Sequence, residues 1–421
     1  MRQNILVQQL MPGMKIVALD IGWEQSPKWT APFILNSSED LALLIQHCKM
    51  VSIDDGKAAE KPLKKTLPLP KKASTSQPVN NSLKENPLKN SASEPSQSKE
   101  IPLKDRVSKQ FVIDSFHGCM DVLVKNFARV RAGENLDAAS IKSTTNKLLV
   151  SILARPNTLT LLSQLEEKDN SLERKSLNVA ILSLCFARTL GLPKDKLHKL
   201  GMSALLHDIG MTKIPDELLS QKETLSIGQR ISIQKHVSIG CEIISQSSAL
   251  RPVIGTVTYH HERFDGTGYP SGLKGRKIPL EARILSITTT YEALTRDRHF
   301  CKAHTPTQAL RKLYSWRNEH FDGSLVERFI RSVGVYPVGT LVELNKQQIG
   351  MVTDVDPKMR SRPTVHCMFD SEGKPLTKQR DFDLTAEKFS RVKITRAIEP
   401  NDIEGFSLQD IANNLGFGCV A

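Results

Sequence analysis

Apolar residues recur every three to four positions through much of residues 106–333, the period of a helix with one buried face. Leu177, Ala180, Ile181, Leu184 and Ala187 predict a helix from Ser176 to Leu190, with Gly191 and Pro193 placed to stop it. Leu197, Leu200, Ala204 and Leu205 predict a second from Asp195 to His207. Pro279 to Leu294 and Pro306 to Tyr314 read as two more. After Tyr336 the period falls to two. Residues 338–344, 349–355 and 364–369 are rich in β-branched residues, alternate in polarity, and are bounded by Asn, Gly, Pro or Asp. They predict a small β-rich appendage over 336–398, followed by a tail over 399–421 with one short helix near Leu408 to Leu415. The first 56 residues read as a small α+β module. A turn and strand span Leu10 to Asp20, a strand holds Trp29, Phe33 and Ile34, a short helix runs from Glu39 to Cys48, and Met50 to Asp54 closes the module.

Between the module and the helical region the pattern disappears. Residues 57–104 contain ten lysines against four glutamates, seven prolines and no aromatic residue. Such a stretch buries too little apolar surface to offset its ordering entropy, so a disordered basic Pro/Lys/Ser linker is expected over 57–105. It holds about six of the chain's thirteen excess positive charges. The basic balance therefore points away from a nucleic-acid partner and toward the linker's composition. The expected fold class is mainly α: a helical bundle over 106–335, with the α+β module before it and the β appendage after it. A chain of 421 residues is long enough for two or three domains. There is no run of eighteen apolar residues and no signal-peptide pattern at the start. Seven scattered cysteines without a CxxC pair suggest a reducing compartment, so the expected location is cytoplasmic.

Candidate chemistry gathers in the bundle. His207-Asp208-Ile209-Gly210 falls at the end of one predicted helix. His236 lies on another, and His260-His261-Glu262 precedes the glycine-rich run Asp265-Gly266-Thr267-Gly268-Tyr269-Pro270. Imidazole and carboxylate together suit a borderline transition metal. An adjacent His-Asp can offer the imidazole to one ion and share the carboxylate between two. Such a pair of ions can activate a water and hold a phosphodiester for in-line attack.

These segments, with Ile214-Pro215-Asp216, Ile278-Pro279, Ala282-Arg283-Ile284 and Ala293-Leu294-Thr295, resemble the HD-GYP family over roughly residues 165–333. The regions 1–56 and 336–398 look like the modules that accompany one subgroup. The resemblance implies a bacterial signalling protein with an HD-superfamily bundle that hydrolyses cyclic di-GMP at an iron or manganese centre. It implies metal-ligand roles for His207, Asp208, His236, His260 and His261, with His207 and Asp208 at the catalytic position. It implies that Gly268, Tyr269 and Pro270 shape a nucleotide-facing loop and that Arg298 meets a phosphate. It also brings a diguanylate cyclase into view as a protein partner for that loop.

The chain departs from the family's pattern at three positions. Lys175 stands where a histidine is usual, Met211 where a lysine follows HDxG, and Thr289 where an aspartate serves as a ligand. A lysine brings positive charge to a place meant for cations, and threonine is a poor neutral ligand. Loss of one electrostatic stabiliser alone costs about 10²–10³ in rate. Glu173 and Glu292 are nearby carboxylates for which structural roles are expected. Three functions stay open on the sequence. They are a phosphodiesterase with a reduced metal site, a cyclic di-GMP sensor without turnover, and an interaction scaffold that uses the Gly-Tyr-Pro loop.

Overall fold

The computed structural model describes residues 2–6, 15–20, 32–35, 44, 48, 50–54, 107–165, 171–221, 223–296, 303–345, 347–370, 372–399, 402–403 and 407–417. The expected linker, most of the helix expected over 39–48, and Arg298 lie outside them.

The chain divides into two compact units, residues 1–94 and 95–421. The first contains an antiparallel four-stranded sheet of order β1-β4-β2-β3, built from β1 (Arg2–Leu6), β2 (Lys15–Leu19), β3 (Phe33–Ile34) and β4 (Met50–Asp54). Ile16, Leu19 and Val51 are buried on it. β1 was not anticipated from the sequence. Its segment Arg2-Gln3-Asn4-Ile5-Leu6 lacks alternation, and pairing with β4 across all five residues supplies its order.

The second unit is a helical bundle with a sheet on one side. In chain order its helices are α1 (Lys109–Arg131), α2 (Ala138–Ala154), α3 (Pro156–Leu165), α4 (Leu172–Thr189), α5 (Lys194–Leu206), α6 (Asp216–Leu219), α7 (Ile227–Gln234), α8 (His236–Ser245), α9 (Ile254–Thr258), α10 (Leu280–Thr295), α11 (Pro306–Ser315), α12 (Gly323–Val333) and α13 (Leu408–Asn414). Several of their starts carry side-chain caps. Ser171 accepts a hydrogen bond from the Arg174 N–H, and Asp137 accepts from Ala139 and Ser140. Ser226/Gln229 and Thr305/Gln308 form reciprocal capping boxes. α4 stops as read from the sequence. Gly191 takes φ +74, and the Leu192 N–H donates back to the Ala187 carbonyl.

α4 and α10 lie at the centre of the bundle. Leu177, Ala180, Ile181 and Leu184 on one, and Ile284, Leu285 and Ile287 on the other, are fully buried. The two helices are also linked by a hydrogen bond of 2.6 Å between the Ser183 and Thr288 hydroxyls. The sheet is antiparallel, in the order β8-β7-β6-β5-β9, from β5 (Leu341–Leu344), β6 (Gln348–Asp354), β7 (Thr364–Asp370), β8 (Pro375–Asp383) and β9 (Ile394–Ile398). The sequence pattern showed β5, β6 and β7. The edge strands β8 and β9 were missed because most of their residues are polar or exposed and lack a buried alternation. Sheet and bundle share one continuous apolar core. The Asn157 amide of α3 donates to the Val355 carbonyl just beyond β6 at 3.1 Å.

Candidate metal centre

Four chain segments bring the candidate residues together. α5 ends at His207. Asp208 then begins a 3-10 turn, Ile209–Lys213, that packs against the start of α8. Gly210 makes that approach possible: a Cβ there would lie 2.0 Å from the His236 carbonyl oxygen and 2.6 Å from the Gly240 nitrogen. The turn thus sets Asp208 beside His236, the first residue of α8. α9 is only five residues long, and His260 and His261 follow its last turn.

Asp208 is the hub, and 2% of its surface is exposed. One carboxylate oxygen, Oδ1, lies 3.3 Å from His236 Nε2 and 3.6 Å from His260 Nε2. The other, Oδ2, lies 3.3 Å from His207 Nε2 and 2.6 Å from Lys175 Nζ. Ligand atoms from Asp208, His236, His260 and His261 all fall within 4.8 Å of one another. His207 is outside that group of four, on the lysine side of the carboxylate.

The tautomers follow from hydrogen bonding. Nδ1 of His207, His236 and His260 lies 2.8, 2.7 and 2.6 Å from the carbonyls of Ala204, Ile233 and Val257. A carbonyl can only accept, so each Nδ1 carries the proton. The three Nε2 atoms, all buried, make no hydrogen bond. Each of these Nε2 atoms faces the carboxylate without a bonded partner, an arrangement that a proton or a metal ion between them would satisfy. Burial pushes His260 down to about 4, so its ring is neutral at pH 7. Burial and the neighbouring His260 likewise hold His261 well below the usual imidazole range. Burial alone would raise Asp208, but the adjoining His207 ring and the Lys175 ammonium outweigh it and keep the carboxyl well below its ordinary range. Three imidazole donors and one carboxylate suit a divalent transition ion, and the orphaned Nε2 atoms show that the residues present fit one.

The glycine-rich loop is held from beneath. Glu262 is buried, and its carboxylate accepts from the Ser271 N–H at 2.7 Å and the Leu273 N–H at 3.0 Å. A Cβ at Gly268 would lie 2.3 Å from the Arg263 nitrogen, so only glycine fits. The Tyr269 ring stacks on His261 at 4.8 Å, with 20° between the planes. Pro270 is exposed. Sequence reasoning placed Glu262 in the motif but gave it no role; its function as loop anchor depends on backbone amides that no pattern displays. Replacing Glu262 with Ala leaves two part-buried N–H groups without their acceptor. The expected loss is about 1–3 kcal/mol, with faster amide exchange confined to residues 263–277. Unchanged exchange in that loop would refute the anchoring role.

A cavity of about 1340 Å³ adjoins the cluster at Lys175. Arg131, Lys213, Arg230 and Arg296 line it with Met211, Leu172, Ile214 and Leu225, and the carboxylates Asp216, Glu223 and Glu292 share the wall. Arg131 pairs with Glu173 at 2.7 Å and Arg296 with Glu292 at 2.8 Å, which gives both glutamates the structural roles expected of them. Lys213 and Arg230 pair with no carboxylate among the described residues. No sequence pattern points to these cations: Arg131 lies 76 residues before the His-Asp pair, and none of them belongs to a motif. Gly268, Tyr269 and Pro270 are not part of the cavity wall, and Tyr269 bears on the cluster through His261. Thr289 is buried with its hydroxyl unbonded.

A helical bundle that gathers a His-Asp pair and distal histidines around one carboxylate defines an HD-domain protein. Residues 157–325 match the family model described as HD domain, residues 2–141 a domain of unknown function (DUF3391), and residues 341–406 a KOW domain associated with HD domain. The chain is 31% identical over 393 residues to the cyclic di-GMP phosphodiesterase PA4108 of Pseudomonas aeruginosa, covering 91% of this chain and 89% of that protein. It is 29% identical over 240 residues to cyclic di-GMP phosphodiesterase PdeB of Borreliella burgdorferi, covering 56% and 63% of the two chains. It is 37% identical over 147 residues to the response regulator RpfG of Xanthomonas campestris, also named a cyclic di-GMP phosphodiesterase, covering 34% and 39%. The chain belongs to the HD-GYP family. Among the described residues, no helix is long and apolar enough to cross a membrane.

Proposed function

We propose that this protein is a cyclic di-GMP signalling protein that binds the nucleotide in the cavity beside Asp208. The observation that carries the reading is the convergence of three buried, unbonded Nε2 atoms on one buried carboxylate, next to a cation-lined cavity. The names of the relatives supply the nucleotide's identity. Asp208, His236, His260 and His261 would hold a divalent ion, iron or manganese being what the family resemblance implies. When bound, that ion polarises a phosphoryl oxygen and lowers the pKa of a coordinated water.

The remaining roles belong to the chain's own side chains. Lys213 and Arg230 offer unpaired positive charge to phosphate, and Leu172, Ile214 and Leu225 offer apolar surface to the bases. Glu262 fixes the loop that presses Tyr269 onto His261 and so fixes that imidazole's direction. A contact with a diguanylate cyclase would fall on the exposed stretch Pro270-Ser271-Gly272. His207 presents its Nε2 to Asp208 Oδ2 on the Lys175 side, outside the group of four.

Calorimetric titration of the manganese-loaded protein with cyclic di-GMP tests the reading. One saturable site is expected, weakened about tenfold or more when Lys213 and Arg230 are both replaced by Ala, since each charged hydrogen bond contributes about 1.5–3 kcal/mol. No heat from the intact protein, or equal affinity in the double variant, would count against it.

A further inference from the structure

The two oxygens of Asp208 face different surroundings. Oδ1 faces the Nε2 atoms of His236 and His260, which make no hydrogen bond. Oδ2 faces His207 and the Lys175 ammonium, which is 2.6 Å away in a hydrogen bond. A carboxylate placed to serve two cations therefore finds one of them already supplied by the chain. Lys175 sits in the first turn of α4, its side chain 24% exposed, against a carboxylate 3% exposed. The low exposure of Asp208 leaves little solvent to screen the pair.

We infer that Lys175 is a built-in replacement for a second metal ion, so that this centre takes a single divalent cation on the Oδ1 side. This rests on the metal-site reading above. Lys175 stands in the way of a second ion on the Oδ2 side, because an ammonium and a divalent cation would have to share one oxygen. Thr289, buried and neutral on α10, adds no anionic ligand.

The substitution has a chemical consequence. An ammonium neutralises Asp208, and because it lines the cavity it can also donate to a phosphate oxygen. It has no vacant coordination position, so it cannot acidify a water or clamp a leaving oxygen as a second ion does. Nucleotide binding is retained, and rapid hydrolysis is not.

Metal analysis of the full chain, purified without oxygen and equilibrated with excess Mn(II) before gel filtration, tests the inference without nucleotide. The intact protein is expected to hold one ion per chain. Lys175→Met is expected to hold two, because Oδ2 and the His207 Nε2 become available. Lys175→Arg, which keeps the charge, is expected to stay at one. Thermal melting of the metal-loaded variants confirms folding, so that a failed fold is not read as a failed site. Two ions in the intact protein, or one in a folded Lys175→Met, overturns the inference while leaving the metal site standing. No ion in any of the three overturns the metal-site reading itself.

Discussion

Gly210→Ala is expected to lose about 3 kcal/mol or more of stability together with metal binding. The added methyl would lie 2.0 Å from the His236 carbonyl oxygen and 2.6 Å from the Gly240 nitrogen, both backbone atoms of α8. No rotamer change can relieve such a contact. The 3-10 turn and α8 must part, and Asp208 and His236 sit on the two surfaces that separate. A single methyl thus acts on fold and site at once. Denaturant unfolding with metal counting checks it, and a variant that melts like the intact protein and keeps its ion would contradict the packing described.

Asp208→Asn is the second large effect. The amide cannot balance the Lys175 ammonium, and its –NH2 group would compete for one of the facing Nε2 atoms. Removing one partner of a buried ion pair costs about 3–5 kcal/mol, so the metal-free variant should unfold at lower denaturant. The cluster also loses its only carboxylate, and affinity for a divalent ion should fall on the order of 10²-fold or more. The double variant Asp208→Asn with Lys175→Met removes both charges and should recover much of the stability but none of the metal. Full stability in the single variant would show that Lys175 and Asp208 are not the pair they form at 2.6 Å.

How much of this was legible in the sequence depended on the scale of the interaction. α4, α5 and α10 were readable because their apolar faces repeat within one helix, and Gly191 marks a local backbone event. The group Asp208, His236, His260 and His261 was readable because each residue lies in or beside a dense motif. Lys175 was visible as a departure, yet its bond to Asp208 Oδ2 spans 33 positions and needed coordinates. The separation of His207 from the other donors was not foreseeable, since adjacency in sequence says nothing about which carboxylate oxygen each ring faces. The cavity cations come from α1, the 3-10 turn, α7 and the end of α10, which only tertiary packing brings to one wall. β8 and β9 take their order from pairing with β7 and β5 rather than from their own polarity pattern.

The most direct test of the account is a single-turnover measurement with cyclic di-GMP at less than stoichiometric amounts over the manganese-loaded chain, with products separated by chromatography. Loss of a second cation lowers an ordinary turnover of ~10 s⁻¹ by about 10²-fold or more. Bound nucleotide is expected to stay cyclic with a half-life of about 7 s or longer, conversion being no faster than ~0.1 s⁻¹. Complete conversion to linear or mononucleotide product within the first second would contradict it.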